Sequence, residues 1–335
     1  MVNDDLPDDG RPRLPSELDF PCFLMNAPFT VDNREANNAL MDEDEEPYDM
    51  DRAFEQFMGL YTAFVGKGAL VYLLPSGSSY QDLPFVANLG AALPHMPEVM
   101  LLSNYTSPPR QGEDDVGAVF FTSMGYQVHQ SPAHWEGEAD LKYIRDNIYI
   151  GGFGQRSERA SFTWMQANFG CDIAMVELTD EKLYHLDCSI FPLTGEKLMV
   201  ATSCFTPQEM RQLEDIADIV SVPPKNVYDG WTNSVRIGNT IFNNPRDEKS
   251  AGALRKVLDK QGFKLETIDL SEFNKSGADL SCMCLTMSWR NRPEEPVAKV
   301  AAVSRPRIVA AAPMLAHVAQ AAPMTPAKRS LADSM

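Results

Sequence analysis

Two cysteines, Cys282 and Cys284, stand on alternate positions of the apolar run Leu280–Met287, just after the turn Gly277-Ala278-Asp279. Three chemistries are open to such a pair: packed core thiols, a fragment of a metal site, or a nucleophile. In a strand both thiols would share one face. No HxxxH pair and no CxxC accompanies them, so the spacing offers a metal too few ligands and no metal is expected. Elsewhere, Tyr184-His185-Leu186-Asp187 sets an imidazole and a carboxylate two residues apart, where a strand would aim both at one ligand. Trp135-Glu136-Gly137-Glu138-Ala139-Asp140 gathers three carboxylates within five residues. Asn88 and Asn233 add amides, and Arg110 a guanidinium suited to bidentate pairing with a carboxylate. Taken singly, each has a plain reading: a buried thiol, a solvent-facing pair, an acidic loop, turn asparagines, a surface arginine. They make a covalent catalyst only if one cleft collects them.

The elements that would collect them repeat. Five times a helical stretch runs through a short break into a strand. The stretches are AFEQFMGLYTAFVGKG into ALVYLLP, DDVGAVFFTSMG into YQVHQSP, ASFTWMQANFG into CDIAMVELT, TPQEMRQLEDIA into DIVSVPP, and EKSAGALRKVLDKQG into FKLETIDL. Four of these helices stop at glycine, which the left-handed C-terminal cap favours; the fourth has none. Between units lie paired strand-like runs such as LKYI with NIYIGGFG, CSIFPL with KLMVATS, and SVRIG with NTIFNN. The last pair would join LSCMCLTM near the end to CFLMNAP near the start. Five ββαβ-like units predict an α/β fold, a five-bladed propeller with pseudo-fivefold symmetry. An open mixed sheet fits the same order. In a propeller the leading strands converge on one axis, and with them Asn88, Glu136, Asp140, His185, Asp187, Asn233 and Cys282.

With 335 residues, 44% of them hydrophobic, the chain has ample material for a core. We read a single domain over residues 19–292, a flexible segment over 1–18, and a flexible Ala/Pro-rich tail over 293–335. Within that tail, Met314–Ala322 could form a docking helix. A net charge of -18 argues against nucleic acid or anionic membranes as partners and would draw in a cationic ligand. The acidic N-terminus lacks an apolar signal core, and no apolar run approaches a membrane span. Six scattered cysteines do not form a secreted disulfide framework, so a reducing cytoplasm is expected. No cofactor is called for, and a homo-oligomer is left open.

Six elements follow one another along the chain: Phe85-Val86-Ala87-Asn88, Arg110-Gln111-Gly112-Glu113, Trp135 to Asp140, Gly154-Gln155-Arg156, Tyr184 to Asp187, and Ser271-Glu272-Phe273 running on to Cys282. In this order they resemble the motif train of the guanidino-group-modifying enzymes, over roughly residues 20 to 290. Within that family the chain is similar to the arginine dihydrolase-like, dimethylarginine dimethylaminohydrolase and amidinotransferase branches. The resemblance implies the pentein fold, a five-bladed α/β propeller. It also implies a cysteine-dependent hydrolase that attacks the guanidino carbon of arginine or a related compound through a covalent thiouronium-type intermediate. Catalysis falls by this resemblance to Cys282, His185 and Glu136; substrate binding falls to Asn88, Asp187, Arg110, Arg156, Glu138 and Asp140. Deiminases carry aspartate where this chain has Asn88, whose amide tolerates a ureido carbonyl. That points to a dihydrolase yielding ornithine, carbon dioxide and ammonia. Transfer of the amidino group to an amine, hydrolysis to citrulline, and a silent guanidino-binding scaffold are the alternatives. The chain departs from the pattern at Ala278, Asp279, Ala139 and Trp135. An inward-facing Asp279 would raise the Cys282 thiol, and Cys284 is expected beside it on the same strand face.

Overall fold

The computed structural model describes residues 12–41, 47–75, 77 and 79–289. Its strands and helices alternate as the repeats predict. The first unit holds β1 (Cys22–Met25), α1 (Met50–Gly66) and β2 (Leu70–Leu73). The second holds β3 (Gly90–Leu93), β4 (Met96–Leu102), α2 (Glu113–Ser123) and β5 (Gln127–Gln130). The third comprises β6 (Leu141–Arg145), β7 (Ile148–Phe153), α3 (Arg159–Phe169) and β8 (Asp172–Glu177). Next come β9 (Ile190–Thr194), β10 (Lys197–Val200), α4 (Pro207–Ile216) and β11 (Asp218–Ser221). The last unit is β12 (Val235–Ile237), β13 (Thr240–Asn243), α5 (Glu248–Lys260) and β14 (Lys264–Thr267), followed by β15 (Cys284–Ser288).

These strands form five three-stranded sheets. In each, a lead strand runs antiparallel to a middle strand, which is parallel to the third, and the helix connects the middle strand to the third. The first sheet takes its lead strand from the end of the chain: β15 pairs with β1, Met25 opposite Cys284 and Leu24 opposite Leu285. The five sheets repeat the ββαβ order that the sequence implied.

Local chemistry explains the units. Asp49 caps α1 by accepting from the Arg52 N–H, and Ala53, Phe57, Leu60 and Phe64 form its buried stripe. The Phe64 ring lies 4.9 Å from Phe23 and 5.1 Å from Phe242, which ties the first blade to the fifth. Glycines 68, 125, 170 and 262 have positive φ just after α1, α2, α3 and α5. Helix α4 needs none, because Ala217 turns straight into extended backbone at φ -159°. Thr206 and Glu209 close a capping box at its start.

Two expectations change. Leu14 is buried and Pro15–Glu17 forms a 3₁₀ turn, so the packed chain begins ahead of residue 19. Residues 1–11 and the tail at 293–335, with Met314–Ala322, lie outside the described residues. The second change concerns the motif residues, which were read as lying in strands. Asn88, Glu138, Asp140, Asp187 and Cys282 sit instead in 3₁₀ turns just before the lead strands, Val86–Asn88, Gly137–Asp140, Leu186–Cys188 and Ser281–Met283, with Glu136 and His185 heading two of them. Among the described residues, no helix is long and apolar enough to cross a membrane.

Candidate active site

The 3₁₀ turns decide where the polar side chains go. In a strand, residues two apart share a face; in a 3₁₀ helix they point about 120° apart. His185 is the extended residue ahead of the Leu186–Cys188 turn and Asp187 lies within it, so the two side chains diverge instead of addressing one ligand together. The imidazole turns toward Asp140 and Asn88, whereas Asp187 accepts from Ser281 Oγ at 2.6 Å. The two thiols part for the same reason. Cys282 lies within its turn, while Cys284 opens β15 and its Sγ faces the Leu280 carbonyl at 3.6 Å.

Cys282, His185 and Asn88 line one small cavity with Arg110, Arg156 and Tyr184. His185 Nδ1 is 3.0 Å from Asp140 Oδ1, which also accepts from the Leu186 N–H at 3.1 Å. The other oxygen of Asp140 accepts from Ser157 Oγ at 2.6 Å. On the far side of the ring, Nε2 is 3.2 Å from the Asn88 amide nitrogen and 3.5 Å from Glu136 Oε2. Since that amide nitrogen only donates, the network assigns the ring proton to Nδ1 and the lone pair to Nε2. Asn88 also donates to the Glu136 carbonyl at 3.1 Å. Gly137 allows this close packing. Its φ is +73°, and an added Cβ would lie 2.5 Å from the Ala87 carbonyl oxygen.

Glu136 is wholly buried and engaged, accepting from the Thr106 N–H at 3.2 Å and pairing with Arg156 Nη1 at 3.2 Å. Arg156 in turn lies over the Tyr184 ring, 5.1 Å from its centroid, and donates to the Asn37 carbonyl. Arg110 was expected to hold a substrate carboxylate. Instead its Nε and Nη2 are committed to Glu113 and to the carbonyls of Asp82 and Phe85, and only Nη1 makes no hydrogen bond among the described residues. Glu138 is elsewhere: both its oxygens accept from Thr286, and it lines a different cavity. Asp140 and Asp187 are buried behind the lining, where they hold His185 and Ser281.

Burial pushes the Cys282 thiol up to about 12, with the charges of Asp187 and, more weakly, Asp279 adding to the effect. Asn233 works the other way, donating to Sγ at 3.6 Å while its carbonyl accepts from the Ser281 N–H at 2.7 Å. Asp279 does not aim at the sulfur. It faces Arg246 at 3.3 Å, and burial pushes its carboxyl up to about 7. Sequence reasoning missed Asp82, Asn37, Asn38 and Ser276 in the lining, and Ser157 behind Asp140. Ser157 carried a signal by following Arg156 directly, and Ser276 by lying inside the run from Ser271 to Cys282; the others sit in turns and loops without a motif. Among the described residues no group of three or more His, Cys, Asp or Glu is placed to hold a metal.

No family model matches the chain. It is 28% identical, over 81% of its length, to the bifunctional arginine dihydrolase/ornithine cyclodeaminase AgrE of Nostoc sp., and spans 38% of that protein. Identity is 25% to the N(G),N(G)-dimethylarginine dimethylaminohydrolase of Mycobacterium tuberculosis, covering 71% of this chain and 77% of that one. Among solved structures, the N-terminal domain of the arginine dihydrolase ArgZ from Cyanobacteria, bound to product, superposes with a TM-score of 0.74 at 27% identity, covering 80% of this chain and 98% of that one. Fold and sequence alike make the chain similar to guanidino-group-modifying enzymes, the arginine dihydrolases and dimethylarginine dimethylaminohydrolase among them.

Proposed function

We propose that the protein is a cysteine-dependent hydrolase of arginine or a closely related guanidino compound. One observation carries this reading: Cys282, His185, Asn88 and Arg156, from four blades, line a single cavity. The relatives' names, arginine dihydrolase and dimethylarginine dimethylaminohydrolase, support the substrate class.

A guanidinium is a poor electrophile until planar hydrogen bonding orients it and exposes its carbon. Asp187 and Glu136 supply negative charge around the sulfur and the imidazole, and Arg156 offers a guanidinium to a substrate carboxylate. Asp82, buried in the same lining, suits an α-ammonium. Cys282 Sγ bonds to the guanidino carbon as its proton passes to His185 Nε2. Collapse of the tetrahedral adduct returns that proton to the departing nitrogen and leaves a thiouronium on Cys282. His185 then takes a proton from water, which attacks the same carbon and frees the thiol.

Asn88 extends the chemistry to a second round, since its amide can donate to a ureido carbonyl as readily as accept from an N–H. Two waters consumed per arginine then give ornithine, carbon dioxide and two ammonia. As it stands the cavity measures about 20 Å³, room for one water, so a substrate must displace the Asn37–Asn38 segment, whose side chain and carbonyl bond Ser276 and Arg156. Amidino transfer is a second reading, favoured by a cavity of about 650 Å³ that reaches Asn233 from another side and could admit an amine. Alkylation by a haloacetamidine tests the primary reading. It should label Cys282 stoichiometrically and be blocked by arginine; labelling that arginine does not slow would overturn it.

A further inference from the structure

We propose that a second cavity, across the Ser281–Cys282 turn from the first, binds a small oxyanion through Lys142 and Arg236. The cavity measures about 210 Å³ and shares no lining residue with the one that holds Cys282. Four lead strands build it: Lys142 stands on β6, Thr194 on β9, Arg236 on β12 and Thr286 on β15.

Its charges are unbalanced. Lys142 is only 6% exposed, yet it makes no hydrogen bond and no ion pair with any described residue. It feels the charge of Glu138 only at longer range than a hydrogen bond or ion pair, so this buried ammonium has no contacting acceptor and calls for a ligand or solvent. Arg236 donates from Nε to the Gly238 carbonyl and from Nη1 to the Leu193 carbonyl, both at 2.7 Å, and pairs with no carboxylate. Glu138 is the one carboxylate in the lining, and Thr286 already occupies it through its N–H at 2.6 Å and Oγ1 at 2.9 Å. A further donor, Trp289 Nε1, is buried in the same wall without a hydrogen-bond partner. Two cations against one committed carboxylate, in a chain of net charge -18, select an anion. The volume, about ten times that of the first cavity, suits a small carboxylate or phosphate. Ser281 lines this cavity and donates to Asp187, so an anion here sits one residue from Cys282.

Isothermal titration calorimetry at constant ionic strength tests this, with inorganic phosphate and malonate as probes and chloride as the balancing salt. The full chain should show one saturable site. Affinity should fall at least tenfold in Lys142→Met and in Arg236→Gln, and persist in Arg156→Ala, which alters only the first cavity. Binding of phosphate alone would identify a phosphorylated ligand, and of malonate alone a carboxylate ligand. Circular dichroism monitors folding; if Lys142→Met does not fold, Arg236→Gln decides. No saturable heat with either probe, or binding abolished by Arg156→Ala and untouched by the other two, would overturn the proposal.

Discussion

Replacing Asp187 by asparagine separates two effects of its charge: it raises the Cys282 thiol, and on the proposed reading it also attracts the cation that would release the thiolate. With the thiol pushed up to about 12, only about one molecule in ten thousand is ionised at pH 8. A guanidinium at about 4 Å, with an effective dielectric constant near 20, favours the thiolate by about 4 kcal/mol. At 1.36 kcal/mol per pH unit that lowers the thiol by about three, and roughly one molecule in ten is then ionised at pH 8. The wild-type protein should therefore react about a thousandfold faster with a cationic haloacetamidine than with iodoacetamide, after correction for intrinsic reactivity. In Asp187→Asn, iodoacetamide labelling should quicken by about tenfold and the preference for the cation should collapse. Ser281 Oγ can still donate to the asparagine carbonyl, which preserves the turn. Rates are read by intact-protein mass spectrometry across pH 6 to about 10. Equal rates for both reagents on the wild type, or a preference that survives in Asp187→Asn, would refute this electrostatic account.

Three further outcomes are expected. Asp279 has its carboxyl raised from 3.8 to about 7, so its contribution to stability is complete below pH 3.8 and is lost as pH rises through 7. Asp279→Asn should remove that slope and unfold later than the wild type above pH 7, by at most about 4 kcal/mol in urea titrations; a wild-type advantage there would contradict the assignment. Asp140→Asn should cut kcat by about 10²–10⁴ while melting within a few degrees of wild type, because the imidazolium formed on His185 loses the negative charge that faces its Nδ1 proton. Unchanged turnover would remove His185 from the proton path. Asn88→Asp should move the products of arginine from ornithine toward citrulline, read by mass spectrometry, and an unchanged product ratio would count against the role given to the amide.

The blade order was legible because each unit repeats a helix, a stop and a strand. The glycines after α1, α2, α3 and α5 marked those stops, and the β15–β1 pairing showed in two apolar runs at opposite ends of the chain. The 3₁₀ turns were not legible. Their residues alternate like strands, and the backbone turns at Asn88, Asp187 and Cys282 only just ahead of each lead strand. That one difference moved Asp187 away from His185 and Cys284 away from Cys282. Arg110 shows a signal present but unread: Glu113, three residues on, is brought within 2.7 Å of the guanidinium by the extended Gln111 and left-handed Gly112 between them. Glu138 could not be placed from sequence, since its neighbours Glu136 and Asp140 face the His185 side while its own oxygens meet Thr286, far along the chain. Asp82, Asn37 and Asn38 reach the cavity by tertiary packing alone.

The central claim is that Cys282 attacks a guanidino carbon. Its most direct measurement incubates the protein and Cys282→Ala with L-arginine, then quantifies ornithine, citrulline and ammonia by mass spectrometry. The account predicts ornithine with about two ammonia per arginine and little citrulline from the wild type, and nothing from the variant. Arginine consumed at the same rate by Cys282→Ala, or left intact by both proteins, would contradict it.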